Sequence, residues 1–423
     1  LTPINLLNNN LITYTQKEHR LPTAEINPSA RKIISKLVEN GFESYLVGGA
    51  VRDLLLGLHP KDFDIATEAT PEEIKSIFKG KCRIIGRRFR LAHIYMGNCI
   101  YEVATFRGSD PGDRVIKKGQ IIRDNVFGSV DQDALRRDFS CNALYYDVME
   151  ENILDFANGV KDLKTGELKL IGNPTTRFIE DPVRILRAIR FHAKLGLVLT
   201  DEMKQCIINN KHHLAKVPAA RLFDETVKLF HCGHMEIAFN ALAELKVLEM
   251  LFPNAAKIVS TDSHWNDFLI TAFRNTDNRL KNGLSVTPVF LTACVLWLEF
   301  IPIYHRLCQQ GKNSHDALHE AASQVMVNQR EVLMIPKAIQ NGIRQMWMLQ
   351  LRFKKMFGKG VYSTLHHPRF RAGYDFLLLR GSINPELAAK AEFWTNIQTM
   401  APEAVKSLIF GKKVKRKKMN YEL

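Results

Sequence analysis

Tyr45-Leu46-Val47-Gly48-Gly49-Ala50-Val51-Arg52-Asp53-Leu54-Leu55-Leu56-Gly57, followed after four residues by Asp62-Phe63-Asp64-Ile65-Ala66-Thr67, is the stretch whose reading decides the fold. The apolar run Tyr45 to Val47 suits a buried strand, Gly48-Gly49 permits a tight turn with close approach of a ligand to the backbone, and Ala50 to Leu56 has helical spacing closed by Gly57. A helix start of this kind favours an anion. On the strand that follows, Asp62 and Asp64 are two residues apart, so the pleat turns both carboxylates to one face and Phe63 to the other. Acids so spaced are most often the solvated edge of a strand. Behind a glycine turn they invite a divalent metal, because Mg2+ bridging protein carboxylates and substrate phosphates is the chemistry of phosphoryl and nucleotidyl transfer.

Outward from this stretch the pattern alternates. Residues 1–28 are polar, with Asn8-Asn9-Asn10 and two prolines before Asn27, and read as a loose leader. Asn27-Pro28-Ser29 opens a helix with the apolar face Ile33, Ile34, Leu37 and Val38, and Thr70-Pro71-Glu72-Glu73 opens another. Arg83 to Tyr95 reads as strand, charged turn and strand, and Ile100 to Arg107 as a third strand whose Glu102 either joins the two aspartates or braces Arg107. Residues 108–130, rich in Gly, Asp and Lys, read as a mobile loop over the site.

Asp133-Ala134-Leu135-Arg136-Arg137-Asp138-Phe139 reads as a helix-to-strand junction. Two arginines beside an aspartate suit a nucleotide, since guanidinium groups fork onto phosphate oxygens while a carboxylate accepts from ribose hydroxyls; the same triplet also occurs as a surface ion-pair cluster. Asn142 to Asp147 and Asn152 to Phe156 form a hairpin that closes the first sheet.

In Phe178-Ile179-Glu180-Asp181-Pro182-Val183-Arg184, Asp181 is placed to cap a helix and Pro182 to occupy its first position. Arg184, Arg187, Arg190 and Lys194 form a basic stripe opposite Ile185, Leu186 and Ile189. Adenine offers an amino donor beside a ring acceptor, which a carboxylate and a guanidinium match. Asp181 with Arg184 would therefore accept ATP or CTP and reject GTP and UTP, without separating the first two. From about residue 200 the chain reads as helical throughout. His367 to Leu377 combines arginines and aromatics, which serve either base stacking or core packing. Gly411 to Lys418 carries six basic residues in eight, a run too self-repelling to pack and suited to phosphate contacts.

Composition bounds the possibilities. With 423 residues, 46% apolar and 24% charged, the chain has material for several packed domains, and its net charge of +15 favours a polyanionic partner, nucleic acid first. Seven scattered cysteines without a Cys-x-x-Cys pair fit a reducing cytoplasm, and His231-Cys232-Gly233-His234 reads as an ordinary helix end. No signal peptide is seen, and the most apolar window, Val289 to Tyr304, contains Glu299 and Pro302 and reads as a core helix with no membrane role.

Gly48-Gly49-Ala50-Val51-Arg52-Asp53 with Asp62 and Asp64, Arg136-Arg137-Asp138, and Glu180-Asp181-Pro182-Val183-Arg184 resemble, in order and spacing over about residues 40–195, the motifs of the class II polynucleotide nucleotidyltransferases. Ile84 to Ile94 resembles the bacterial poly(A) polymerase version, whereas CCA-adding enzymes depart at Arg90-Leu91; Ser140-Cys141 replaces a more usual Thr-Ile.

The resemblance implies a polymerase-β-like α/β head at 29–174, a helical neck at 175–237 that binds nucleobase and RNA, a helical RNA-binding body at 238–408 and a basic tail at 409–423. It implies that Asp62 and Asp64 hold catalytic Mg2+ in a two-metal clamp and that Asp138 is a further essential acid. Gly48, Gly49, Arg52, Arg136 and Arg137 would bind ATP phosphates and sugar, with Asp181 and Arg184 on the base. Arg190, Lys194, Lys412, Lys413, Lys415, Arg416, Lys417 and Lys418 would contact RNA. The implied reaction is untemplated addition of AMP from ATP to RNA 3′ ends in the cytoplasm, with RNA-decay proteins as partners by resemblance. The alternatives are a CCA-adding enzyme acting on tRNA and, further off, a silent RNA-binding protein on the same scaffold.

Overall fold

The computed structural model describes residues 11–86, 90–108, 115–117, 120–123 and 126–410. The chain packs as two units, one running to Glu180 and including Gly196–Met203, the other formed by Asp181–Leu195 and the chain from Lys204 on.

The first unit is built on an eight-stranded sheet. Its strands are β1 (Ile12–Tyr14), β2 (Ser44–Val47), β3 (Ile65–Thr67), β4 (Cys82–Ile85), β5 (Leu91–Met96), β6 (Cys99–Thr105), β9 (Leu144–Asp147) and β10 (Asn152–Asp155), in the order β1-β10-β9-β2-β3-β6-β5-β4. Among the described strands of this sheet only β3 and β6 run parallel to each other, with Ile65 opposite Val103. A separate antiparallel pair, β7 (Val115–Lys117) and β8 (Gln120–Arg123), lies in the segment read as a mobile loop, much of which is outside the described residues.

Helices cover the sheet for local reasons. The Pro28–Glu39 helix starts where the Asn27 side chain accepts from Ser29 N at 2.8 Å, and its apolar face, Ala30, Ile33, Ile34 and Leu37, is fully buried. In the Pro71–Phe78 helix, Thr70 and Glu73 form a capping box.

Two expectations are corrected here. Residues 11–27 are not a loose leader: β1 pairs antiparallel with β10 at the sheet edge, and Leu21 and Ile26 are buried. Their apolar residues are too sparse to show a period, and tertiary packing decides. Second, β3 begins at Ile65, so Asp62 and Asp64 lie in the extended segment just ahead of it. All three residues of β3 are buried in the middle of the sheet, where carboxylates would be stripped of water; the strand starts where the acids stop.

The second unit is helical. Its central Pro288–Gln309 helix is long and apolar enough to cross a membrane by length and composition, yet Cys294, Val295, Trp297 and Phe300 along it are at most 1% exposed within the fold. It packs against the Ser314–Arg330 and Lys337–Arg352 helices, with the Phe300 and Trp347 rings 4.4 Å apart and Trp347 Nε1 donating to Ala293 O at 3.3 Å. Such ring pairs are worth about 1 kcal/mol each beyond burial.

Around His367 to Leu377 the packing reading holds: Phe370 and Tyr374 enter a core with Phe353 and Trp394, while Arg371 stays exposed and pairs with Asp375 one turn on. His231 and Cys232 follow the end of the Ala219–Phe230 helix, and burial pushes the Cys232 thiol up to about 11.

Candidate active site

The glycine turn forms because β2 must stop abruptly. Gly48 has φ +68°, a backbone that side-chain-bearing residues avoid, and a Cβ there would stand 3.0 Å from Arg137 Nη1. Gly48 N donates to Leu144 O at 3.2 Å, and Arg52 N closes the first helical turn on Gly48 O. The Gly49–Leu55 helix that follows is two turns long.

The acids stand beside this turn. Val47 N donates to Asp64 O at 3.0 Å, which fixes the acidic segment against the end of β2. Extending the β3–β6 register back by one residue sets Asp64 beside Glu102, whose carboxylate repels that of Asp64. Asp62 and Asp64 are exposed. Asp64 nonetheless sits in a crowded hollow: loss of hydration, then repulsion from Glu102 and Asp62, raise its carboxyl above the usual range against the pull of Arg137. His93, opposite Glu102 on β5, places Nε2 3.4 Å from the Glu102 carboxylate.

The arginines of the motifs are placed differently. Arg52, 4% exposed, gives Nε and Nη2 to Asp53 Oδ1 at 2.8 and 2.6 Å and Nη1 to the Asn142 side chain. Asn142 Nδ2 passes the connection to Asp138 Oδ1 at 3.1 Å, which also accepts from Phe139 N. Arg137 is held under Gly48 by Tyr145 OH at 2.8 Å, Asp133 Oδ2 at 3.2 Å and Asn142 O at 3.2 Å. Tyr145 OH donates to the same Asp133 oxygen at 2.6 Å, and the other oxygen accepts from Arg107 N. Arg136 reaches Gly108 O. The structure thus brings Gly48, Arg52, Arg137 and Asp138 into one hydrogen-bonded layer behind the acids, with Arg52 and Arg137 engaged by the protein itself.

Sequence reasoning missed four members of that layer: Asp133, Asn142, Tyr145 and Arg177. Arg177, in the Pro174–Glu180 helix, donates Nη2 to Arg136 O at 2.8 Å and to Arg137 O, and Nη1 to Glu180 at 3.0 Å. The available signal was a general one: carbonyls that end a helix, here Val130–Arg136, need donors from elsewhere.

In the second unit, Arg184 N donates to Asp181 O at 3.1 Å as the chain enters the Val183–Leu195 helix. Asp181 Oδ2 accepts from Arg221 Nη2 at 2.7 Å, while Oδ1 is buried and makes no hydrogen bond among the described residues. An orphaned buried acceptor beside a guanidinium fits an amino group of a ligand. The basic stripe is half-buried: the Arg187 and Arg190 guanidiniums lie 5.6 and 5.2 Å from the Phe191 ring centre, and only Lys194 is exposed. The tail lysines 412, 413, 415, 417 and 418 and Arg416 lie outside the described residues.

A mixed sheet with acids at the mouth of a glycine turn, followed by a helical unit, defines a nucleotidyltransferase. Residues 44–169 match the family model "Poly A polymerase head domain", 196–258 match "Probable RNA and SrmB- binding site of polymerase A", and 310–421 match "Polymerase A arginine-rich C-terminus". The chain belongs to the bacterial poly(A) polymerase family. Poly(A) polymerase I of Escherichia coli O6:H1 is 41% identical over 406 residues, which cover 93% of this chain and 87% of the relative. The CCA-adding enzyme of Lactobacillus helveticus is 36% identical over 233 residues, 55% of this chain and 57% of the relative. Among solved structures, the Thermotoga maritima CCA-adding enzyme complexed with tRNA shares the fold, with a TM-score of 0.60 at 19% identity over 96% of this chain and 97% of that one.

Proposed function

We propose that this chain is a polynucleotide adenylyltransferase that adds AMP from ATP to RNA 3′ ends without a template. The observation that carries the reading is 41% identity to a poly(A) polymerase I across 93% of the chain, with both units included. In the reaction the RNA 3′ oxygen bonds the α-phosphorus of ATP as the bond to the β,γ-pyrophosphate breaks, and the hydroxyl proton is lost.

Asp62 and Asp64 are proposed to hold Mg2+, and their surroundings fit it. An all-oxygen donor set in which Asp64 is repelled by Asp62 and Glu102 gains from a cation. Among the described residues no three acid, His or Cys side chains converge as a closed metal cage, and Mg2+ typically uses one or two carboxylates with substrate phosphates and water. Bound there, the metal supplies charge stabilisation to attacking and leaving oxygens.

Asp138 is the further acid, held by Asn142 and Phe139 N. Gly48, Gly49, Arg52, Arg136 and Arg137 are assigned to the ATP phosphates and sugar, with Arg52 and Arg137 also fixing the turn through their protein partners. Asp181 and Arg184 are assigned to the base through the orphaned Oδ1. Arg190, Lys194 and the tail cations are assigned to RNA phosphates, and the site of action to the cytoplasm.

A CCA-adding activity is the second reading, favoured by the Lactobacillus relative over half the chain. Extension of an unstructured RNA and of a tRNA lacking its 3′ end, with ATP or CTP alone, separates the two. Long ATP-dependent ladders on the unstructured RNA support polyadenylation; CTP-dependent extension confined to tRNA and stopping at three nucleotides overturns it.

A further inference from the structure

The three main-chain carbonyls of Arg136-Arg137-Asp138 all receive their donors from one short segment further along the chain. Arg177 Nη2 donates to Arg136 O at 2.8 Å and also to Arg137 O, and Ile171 N donates to Asp138 O at 3.0 Å. The side chains of the same three residues take other partners. Arg136 reaches Gly108 O, Arg137 donates to Tyr145 and Asp133, and Asp138 accepts from Asn142 and Phe139 N. The backbone that carries the two motif arginines is therefore held from residues 171–177, separately from what their guanidinium groups do.

That hold is itself anchored. At the start of the Pro174–Glu180 helix Thr176 N donates to Asn173 Oδ1 at 3.0 Å, and Phe178, next in sequence to Arg177, is fully buried. Glu180 Oε2 accepts from Arg177 Nη1 at 3.0 Å, and the Arg177 side chain is 14% exposed. A helix such as Val130–Arg136 ends in carbonyls without intrahelical donors and in the negative end of its dipole, so a cation there is favoured. The shape of this cation matters as well. One guanidinium nitrogen shares its two N–H groups between successive carbonyls while a second, in the same plane, faces a carboxylate; the compact ammonium of a lysine on its flexible stem does not fix those directions together.

We infer that Arg177 is a positioning residue for the nucleotide. It fixes the peptide planes from which Arg136 and Arg137 project, and so sets how closely the Arg136 guanidinium meets ATP. This role rests on ATP being the substrate of the head and on Arg136 binding it. Misplacement of a positioned group by about 1 Å can cost about a hundredfold in rate, whereas an arginine that served the fold alone would change stability and leave the affinity for ATP as it was.

The test is steady-state AMP incorporation by the full chain, with ATP varied at saturating RNA and RNA varied at saturating ATP. The wild type is compared with Arg177→Lys, Arg177→Met, Arg136→Ala and the double variant Arg136→Ala with Arg177→Lys. Arg177→Lys keeps the charge and a donor, folds by circular dichroism, and raises KM for ATP about tenfold while kcat and KM for RNA change by less than about twofold. Arg177→Met, which fills similar space without a donor, raises KM for ATP further. In the Arg136→Ala background Arg177→Lys adds less than about twofold, because the group it positions is gone.

An unchanged KM for ATP in folded Arg177→Lys would overturn the positioning role and leave adenylyl transfer standing, and so would the full rise appearing again in the Arg136→Ala background. A wild-type KM for ATP in Arg136→Ala would instead remove Arg136 from the nucleotide, and the role of Arg177 with it. Absence of AMP incorporation by the wild type would overturn the reading of the head itself.

Discussion

Acids and arginines from one set of motifs end in opposite circumstances in the first unit. Asp62 and Asp64 are exposed, and Asp64 is repelled by Asp62 and Glu102. Arg52 and Arg137, a few residues away along the chain or across the sheet, are engaged by Asp53, Asn142, Asp133 and Tyr145. The difference teaches that motif arginines are also structural: Arg52 and Arg137 tie the glycine turn to the sheet through these partners. The buried layer holds the glycine turn in a shape that only glycine adopts readily, and the exposed acids are left crowded and available to a cation.

The contrast breaks if the acids prove structural. Asp62→Ala or Asp64→Ala is expected to lower AMP incorporation about a thousandfold with an unchanged far-UV spectrum, measured by primer extension. Arg52→Ala acts first on the fold: it removes the guanidinium that stands 2.6 Å from the buried Asp53 carboxylate and should cost about 3 kcal/mol in urea unfolding. Replacing the pair together, Arg52→Met with Asp53→Leu, should cost less than the two single changes added.

Gly48→Ala tests the need for glycine at the turn. At φ +68° with Arg137 Nη1 3.0 Å from the new Cβ, a loss of about 2 kcal/mol is expected, together with a fall in activity.

The smallest effect has the opposite sign. The folded pKa of Asp64 lies above its unfolded value, so stability declines as pH rises through that interval and levels off above it. At neutral pH the ionised Asp64 is a net burden on the metal-free chain. Asp64→Asn should therefore raise the melting temperature slightly, by at most about 2 °C, remove that part of the pH dependence, and abolish activity.

How legible this was in the sequence follows from the kind of signal involved. The strand, glycine turn and helix from Ser44 to Leu55 were readable because period and glycine placement are local. The position of Asp62 and Asp64 ahead of β3 was not, because a three-residue strand buried between β2 and β6 is defined by its neighbours. The edge strand Ile12–Tyr14 was missed for the same reason.

At the site, residue types gave the acids, while hydrogen-bond partners such as Asp133 with Arg137 or Arg177 with the Arg136 carbonyl depend on contacts that spacing alone does not display.

The most direct measurement is time-resolved extension of a short unstructured RNA with ATP and Mg2+ by the wild type and by Asp64→Asn, with folding followed in parallel. A lengthening AMP ladder in the wild type and none in a fully folded Asp64→Asn is the expected result. A ladder of undiminished rate from folded Asp64→Asn would contradict the placement of adenylyl transfer at these acids.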